Sequence, residues 1–593
     1  MGEGLTVTPG VRRAAGLLWL AVMTAGSVVL TVSLRAEIRR ADRLALLLLM
    51  TFVYAAVLAV LWLVSAAAWR LPRVAESRLG RLAGGPAWSA AGVFLAALAV
   101  RWLRYWCGHT MDVFLTPPPL WNAPAPVEAI LIAGTVAGVL ALLVALRRPL
   151  ERVPSGAMAF GALALVGGAW IPPLPSATPV TRAAVLATPP DWRPVPRRPL
   201  VLVAFDGVDP RLLRSAAGAT DLPEFRRLMQ EGFRSSLDNH RWGYSPVVWT
   251  SVATGLRARR HGIHDFLTRH PVLFREPIDG WWKALPPNLG AQRVFATLRP
   301  PLMTTRATNA AQRPGASVWQ VLSRAGRRSL VVNWLGSFPA EKVDGIVLAG
   351  DVYDAKLDAV RAGTDLAGYE YPPGSFDRLH GPFAPRRPPP GLRADEPMFD
   401  SLERLTLRAL DAEPFDFVAF FTHWTDAPNH HLGVAEWRRL LEGDFASARG
   451  QDILHIYRRL DRFLGALRER RPEANFVVLS DHGVAPVFRA RHERLDHLYE
   501  SPGIFFAQGP DAGRQEADSV SMLDVGPSVI GYFGAPVALD IDGTVDPRIF
   551  PAATAPQYID TYQDAVPRAR VAMARREPPA SVRERLRALG YVN

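Results

Sequence analysis

Apolar residues in this chain follow two patterns that divide near residue 198. Before that point they form long runs at 14–34, 44–68, 87–106, 127–146 and 157–171, the last being the shortest. Runs of this length with few charges predict five membrane-spanning helices. No small-residue cleavage site follows the first run, so it reads as a retained span rather than a signal peptide. Beyond 198 the apolar runs shorten to strand length, at 199–205, 329–334, 415–422, 475–480 and 503–508. Amphipathic helical patterns at 222–232, 318–326 and 453–468 are interleaved with them. Strand-length apolar runs alternating with helices predict an α/β fold whose parallel sheet is covered on both faces.

The stretch between the two regimes, 172–198, is rich in proline and small residues and reads as an extended linker. The expected layout is a transmembrane helical region at 1–171, the linker, a globular domain at 199–550 and a tail at 551–593. Within the globular part, 269–313 and 352–397 carry Pro, Gly, Arg and aromatics with little periodicity. They read as insertions beside a ligand crevice.

Charge sharpens this layout. Residues 1–195 hold 17 Lys+Arg against 8 Asp+Glu, which is nine of the thirteen net positive charges of the whole chain. The basic excess therefore flanks the membrane runs, and the globular part lacks the clustered basic stripe that a nucleic-acid partner requires. With the N-terminus inside, cytoplasmic segments carry Arg12, Arg13, Arg70, Arg73, Arg78, Arg81, Arg147, Arg148 and Arg152. Outer loops carry Arg35, Arg39, Arg40, Arg43, Arg101 and Arg104. The positive-inside rule thus predicts a multi-pass inner-membrane protein with its globular domain on the extracytoplasmic side. One cysteine, Cys107, leaves no disulfide framework and no thiolate metal cluster.

Candidate chemistry lies at the ends of the predicted strands, where parallel sheets present their ligand crevice. The run at 199–205 ends in Asp206-Gly207, and that at 415–422 leads to Asp426 and His430, four residues apart. The run at 475–480 ends in Asp481-His482-Gly483, and His492 and His497 follow. Asp and His at such positions offer oxygen and nitrogen ligands to a divalent metal. Ser245 stands ahead of an apolar, helix-like run that closes at Thr254-Gly255 and His261-Gly262-Ile263. A serine there is either an N-cap followed by Pro246 at N1, or a nucleophile held in the positive end of a helix dipole.

The ordered set of Asp206-Gly207, Ser245 with Thr254-Gly255 and His261-Gly262-Ile263, Asp426 with His430, Ser480-Asp481-His482-Gly483 and a late histidine resembles the alkaline phosphatase superfamily. Within it the set is most similar to the type I phosphodiesterase/nucleotide pyrophosphatase family. The resemblance covers about residues 199–550, including 522–536. It implies a mixed, mainly parallel sheet flanked by helices and two divalent ions, zinc foremost and manganese as the alternative. One ion falls to Asp426, His430 and a late histidine, His497 or else His492, and the other to Asp206, Asp481 and His482. Ser245 reaches the metals as the nucleophile and passes through a phosphoserine intermediate. Many family members carry threonine where Ser245 stands, which keeps Thr250 and Ser251 as alternatives, and Phe266 occupies the place of an asparagine that contacts phosphate in some relatives.

These features predict a membrane-anchored hydrolase of phosphate esters, the substrate being a lipid or a nucleotide. Five spans ahead of such a domain also resemble the layout of bacterial phosphoethanolamine transferases and lipoteichoic acid synthases, whose nucleophile and metal motifs differ. Transfer of a phospho-alcohol headgroup to lipid or glycan is therefore the alternative, and a non-catalytic scaffold is the third class. A complete candidate ligand set argues against the scaffold.

Overall fold

The computed structural model describes residues 9–35, 40–77, 85–106, 197–240, 244–275, 277–279, 294–295, 297–298, 301–313, 315–389, 391–489, 492–496, 501–551 and 556–562. They fall into two compact units. The first unites the N-terminal region with Arg269–Thr305 and Phe488–His492, and the second holds the rest.

Among the described residues the long helices of the first unit are α1 (Pro9–Arg35), α2 (Arg40–Trp69) and α3 (Pro86–Trp106). Ala21, Ala25 and Val28 of α1 pack against Leu46, Met50, Tyr54 and Leu58 of α2, with Phe94 of α3 alongside. The three-and-four spacing of these positions gives each helix one buried stripe. Among the described residues one helix, Asp42–Trp69, is long and apolar enough to cross a membrane. The apolar parts of α1 and α3, Leu17–Val29 and Pro86–Ala99, are shorter. The expectation of five spans is therefore supported at one of them, and the runs at 127–146 and 157–171 lie outside the described residues.

The second unit is built on a nine-stranded sheet. Its strands are β1 (Leu200–Phe205), β2 (Phe233–Asp238), β3 (Ser329–Trp334), β4 (Gly345–Ala349), β5 (Glu370–Tyr371), β6 (Phe417–Thr422), β7 (Asn475–Leu479), β8 (Gly503–Gln508) and β9 (Glu516–Ser521). They lie in the order β9-β2-β8-β7-β1-β6-β3-β4-β5. The five from β7 to β4 are mutually parallel, and β8 runs antiparallel to β7. Every residue of β1, β3, β6, β7 and β8 is buried, which is why these strands read as continuous apolar runs.

Alternate residues of β1 feed two cores. Val201, Val203 and Phe205 face one layer of helices, formed by α4 (Pro210–Ala219), α5 (Pro223–Gln230), α8 (Val352–Ala362), α9 (Glu396–Ala412) and α11 (Ala448–Arg470). Leu200, Leu202 and Ala204 face the other, formed by α6 (Ser245–Thr254), α7 (Val318–Arg324) and α12 (Met522–Tyr532). The chain past 550 still joins this unit: Tyr558–Ile559 pairs with Val537–Ala538, and Tyr562 donates to the carbonyl of Pro536.

Two stretches differ from the sequence reading. The stretch at 352–397, expected to be aperiodic, contains α8, whose Val352, Ala355 and Ala359 bury one helical face. Proline and charge around it hid the period. The insertion expected at 269–313 divides, its Arg269–Thr305 part grouping with the helical unit.

A buried polar knot fixes the start of α7. Glu341 accepts hydrogen bonds from Arg313, Ser317 and Trp319, and both charged partners are almost wholly buried. Removing one member strands the other's charge in a dry site. Glu341→Ala is expected to cost about 3–5 kcal/mol of unfolding free energy, read as a lower denaturant midpoint of the full-length protein. A midpoint unchanged from wild type contradicts this role.

Candidate active site

Three neighbouring parallel strands, β7, β1 and β6, bring their carboxyl ends to one place. The register sets Phe205 opposite Thr422 and Ala204 opposite Leu479. Asp206 therefore emerges between Asp481-His482 on one side and the turn to Asp426 on the other. Asp206, Asp481 and His482 are all buried, and each offers a ligand atom within 4.8 Å of the others. His482 Nε2 lies 3.2 Å from Asp206 Oδ1 and 3.4 Å from Asp481 Oδ2.

The orientation of the His482 ring follows from its other nitrogen. Nδ1 stands 3.0 Å from the carbonyl oxygen of Gly483. A carbonyl only accepts, so Nδ1 carries a proton and Nε2 faces the two carboxyl groups. Three donor atoms converging in a buried pocket need a proton or a cation among them. This donor set of two oxygens and one nitrogen, oriented by a backbone carbonyl behind the imidazole, fits a divalent metal.

Asp426 and His430 occupy one turn of the short helix α10 (Asp426–His431), four residues apart, with His430 Nε2 3.1 Å from Asp426 Oδ2. The turn is helical although it contains Pro428. His497 lies outside the described residues, and His492 opens the short strand His492–Asp496. His423 pairs at 3.6 Å with Asp395, and His431 turns to the exposed side.

Ser245 is the first residue of α6, and Tyr244 precedes it as the cap without a side-chain cap bond. The serine is therefore not an N-cap. Its buried Oγ donates instead to Asp206 Oδ1 at 3.2 Å. One turn later Trp249 donates from Nε1 to Asp206 Oδ2 at 3.4 Å, so two residues of one helix face hold both oxygens of one carboxylate. Of the alternative nucleophiles, Ser251 bonds His261 Nε2 at 3.1 Å. His261 Nδ1 accepts from the backbone N–H of Ile263, and burial holds its pKa well below the usual histidine value. The His-Gly-Ile segment is thus a neutral brace for α6. Thr250 faces Gly336.

Sequence reasoning missed the residues that lock the strand ends together. Asn429 donates to the carbonyl of Gly207 at 2.8 Å, and Thr425 donates to the carbonyl of Asp206. Ser480 Oγ accepts from the N–H of Val208 and donates to the carbonyl of His482. Asn239 donates to the carbonyl of Asp481. Only the four-residue spacing of Trp249 from Ser245 was readable in advance. At Phe266 the backbone is used locally, its N–H donating to Asp265 and its carbonyl accepting from Thr308.

Burial pushes the Asp206 carboxyl up to about 8, with the nearby charge of Asp426 adding to it. Burial, with Asp206 beside it, also raises Asp481 well above the usual carboxylate range.

The family pattern described as type I phosphodiesterase / nucleotide pyrophosphatase matches residues 200–532, more than half of the chain. The chain belongs to this family. It is accordingly a phosphoric ester hydrolase of the alkaline phosphatase superfamily, a divalent-metal-dependent group. No curated protein sequence matches it. Solved structures similar to it include murine ectonucleotide pyrophosphatase / phosphodiesterase 5 in an inactive form with AMP, at 13% identity and TM-score 0.34, covering 57% of this chain and 96% of that one. Phosphonoacetate hydrolase from Sinorhizobium meliloti matches at 18% identity and TM-score 0.33, covering 50% and 58%. Phosphonate monoester hydrolase from Silicibacter pomeroyi matches at 13% and 0.34, covering 60% and 78%.

Two outcomes follow from this geometry. The proton on Asp206 stabilises the metal-free fold below the usual carboxylate range, and that contribution is lost as pH rises through about 8. Metal-free protein should therefore melt progressively lower between about pH 4 and about pH 8 and level off above that, while saturating zinc removes the decline. A pH-independent melting temperature without metal contradicts the raised carboxyl. Gly207 has φ +74°, and a Cβ there would lie 2.8 Å from Asp426 Cα and Cβ. Gly207→Ala should push the Asp426 turn away and lower bound metal per chain, measured by atomic absorption.

Proposed function

We propose that the chain cleaves phosphate esters, diesters foremost, with Ser245 as nucleophile and a phosphoserine intermediate. The observation that carries this reading is the Ser245 Oγ to Asp206 Oδ1 bond of 3.2 Å, because it aims a buried hydroxyl at the carboxylate shared with Asp481 and His482. The donor set assigned to one divalent ion is Asp206, Asp481 and His482. Asp426 and His430 are the donors for a second, with a late histidine, His497 before His492, as third ligand. Zinc suits this mixture of oxygen and nitrogen, and manganese is the competitor. When bound, such ions lower the pKa of a neighbouring hydroxyl and stabilise negative charge on the attacking and leaving oxygens.

The chain's own residues perform the rest. Asp206 Oδ1 accepts the Ser245 hydroxyl proton's hydrogen bond, which leaves Oγ lone pairs free for phosphorus. The Oγ–P bond forms as the bond from phosphorus to the leaving oxygen breaks, the serine's proton going to the departing alcohol; water then attacks phosphorus, the Oγ–P bond breaks, and a proton of that water restores the hydroxyl. Trp249 keeps the Asp206 carboxylate from rotating, and its apolar body, packed on Trp334 and Phe421, excludes solvent behind it.

The same reading anchors the protein in a membrane through α2. Residues 44–69 hold no charged side chain, and Leu44, Leu48, Phe52 and Leu63 expose their apolar surface. The multi-pass arrangement, with the hydrolase on the extracytoplasmic side, follows from the arginine distribution.

Metal-dependent turnover of an aryl phosphodiester by the full-length protein tests the function. Ser245→Ala should lower kcat by about 10³-fold or more while bound zinc is retained. Activity surviving in that variant, or product that forms only with an added lipid acceptor, contradicts a serine-dependent hydrolase.

A further inference from the structure

The segment 269–305 gives the helical unit a feature that phosphate-ester chemistry does not use. Leu267–Pro271 and Met303–Ala307 form its two-stranded base. A buried ion pair closes its first turn: Arg269 Nη1 meets Asp279 Oδ1 at 2.7 Å, and the Ile278 N–H donates to the Arg269 carbonyl. Phe274, Ile278, Phe295 and Met303 are buried in the same apolar cluster as α1 and α2, with Phe274 and Phe295 edge to face at 5.7 Å. The backbone N–H of Arg275 donates to Asp42 Oδ1 at 2.8 Å. Asp42 lies in the first turn of α2, so this bond pins the arm at the amino end of the apolar helix.

Beside those anchored residues the arm turns apolar side chains outward. Val272 and Leu273 are each 65% exposed and Leu302 is 60% exposed. The Val272 N–H donates to the Leu302 carbonyl, which groups the three. A soluble surface seldom clusters large aliphatics this way. The patch sits two and three residues from the Arg275 bond to Asp42, and Asp42 itself stands two residues before Leu44, where the exposed apolar face of α2 begins. In sequence the arm also carries Trp281-Trp282-Lys283, residue types enriched at the level of lipid headgroups.

We infer that the arm is a membrane-interface element, and that Val272, Leu273 and Leu302 insert into the lipid surface where α2 enters the bilayer. The inference rests on the reading of α2 as a membrane span. It gives this hydrolase a second, monotopic contact with the membrane, drawn from within the hydrolase sequence itself. It also assigns the amino end of α2 to the face of the membrane that carries the arm.

Spin labels on single cysteines test it in full-length protein reconstituted into phosphatidylcholine vesicles, with Cys107→Ala as background. Labels at Leu273→Cys and Leu302→Cys are compared with Phe52→Cys on α2 and Val360→Cys on the exposed side of α8. The expected result is a several-fold higher ratio of oxygen to nickel-chelate accessibility at Leu273, Leu302 and Phe52 than at Val360. Water-like ratios at Leu273 and Leu302 beside a lipid-like Phe52 overturn the inference and leave the span intact. A water-like Phe52 overturns both. Dipolar broadening at Leu273 that disappears when labelled protein is mixed with excess unlabelled protein identifies a second copy as the occupant and overturns the lipid assignment.

Discussion

Asp206, Asp426 and Asp481 lie close enough in a solvent-poor site for each ionised carboxylate to raise the proton affinity of its neighbours. Taking a charge out of water costs several kcal/mol per ion even after relaxation, so three such groups persist only with protons or metal ions between them. Among the described residues the basic side chains beside them are His482 and His430, and the Gly483 carbonyl orients the His482 ring so that Nε2 faces the carboxyl groups. A divalent cation resolves the conflict without protonating the carboxylates. The rigidity of the parallel strands β7, β1 and β6 keeps the ligands from separating when it is absent. Sheet geometry thus stores an electrostatic demand that metal binding satisfies.

That demand was legible in the sequence because each carboxylate follows a buried, largely apolar strand, where its position is fixed by chain direction. Asp206, Asp426, Asp481 and His482 could be assigned to strand ends without knowing the strand order. Ser245 was harder, since a serine before Pro246 has the pattern of a cap. The fold resolves it by starting the helix at the serine itself and giving its hydroxyl to Asp206. Asn429, Thr425 and Ser480 were illegible because their partners are backbone atoms some 200 or more residues distant. No local pattern encodes such bonds.

The arm shows the same limit from the apolar side. Phe274, Ile278 and Phe295 have no helical or strand period, because their burial is supplied by α1 and α2 more than 200 residues earlier. Read locally, the segment resembles a loop beside a crevice. In the folded chain it is part of the helical unit and leaves Val272, Leu273 and Leu302 outside the cluster. Of the five apolar runs that hydropathy marks, the described part contains one helix, Asp42–Trp69, of sufficient length and apolarity to span.

The account stands or falls on where phosphorus becomes attached during turnover. Acid quenching of the metal-loaded, full-length protein during steady-state cleavage of an aryl phosphodiester, followed by proteolysis and mass spectrometry, reads that position directly. The account predicts a phosphoryl-type adduct on Ser245, in the peptide that also carries Trp249. An adduct on Thr250 or Ser251, or rapid turnover with the whole peptide unmodified at every quench time, contradicts it.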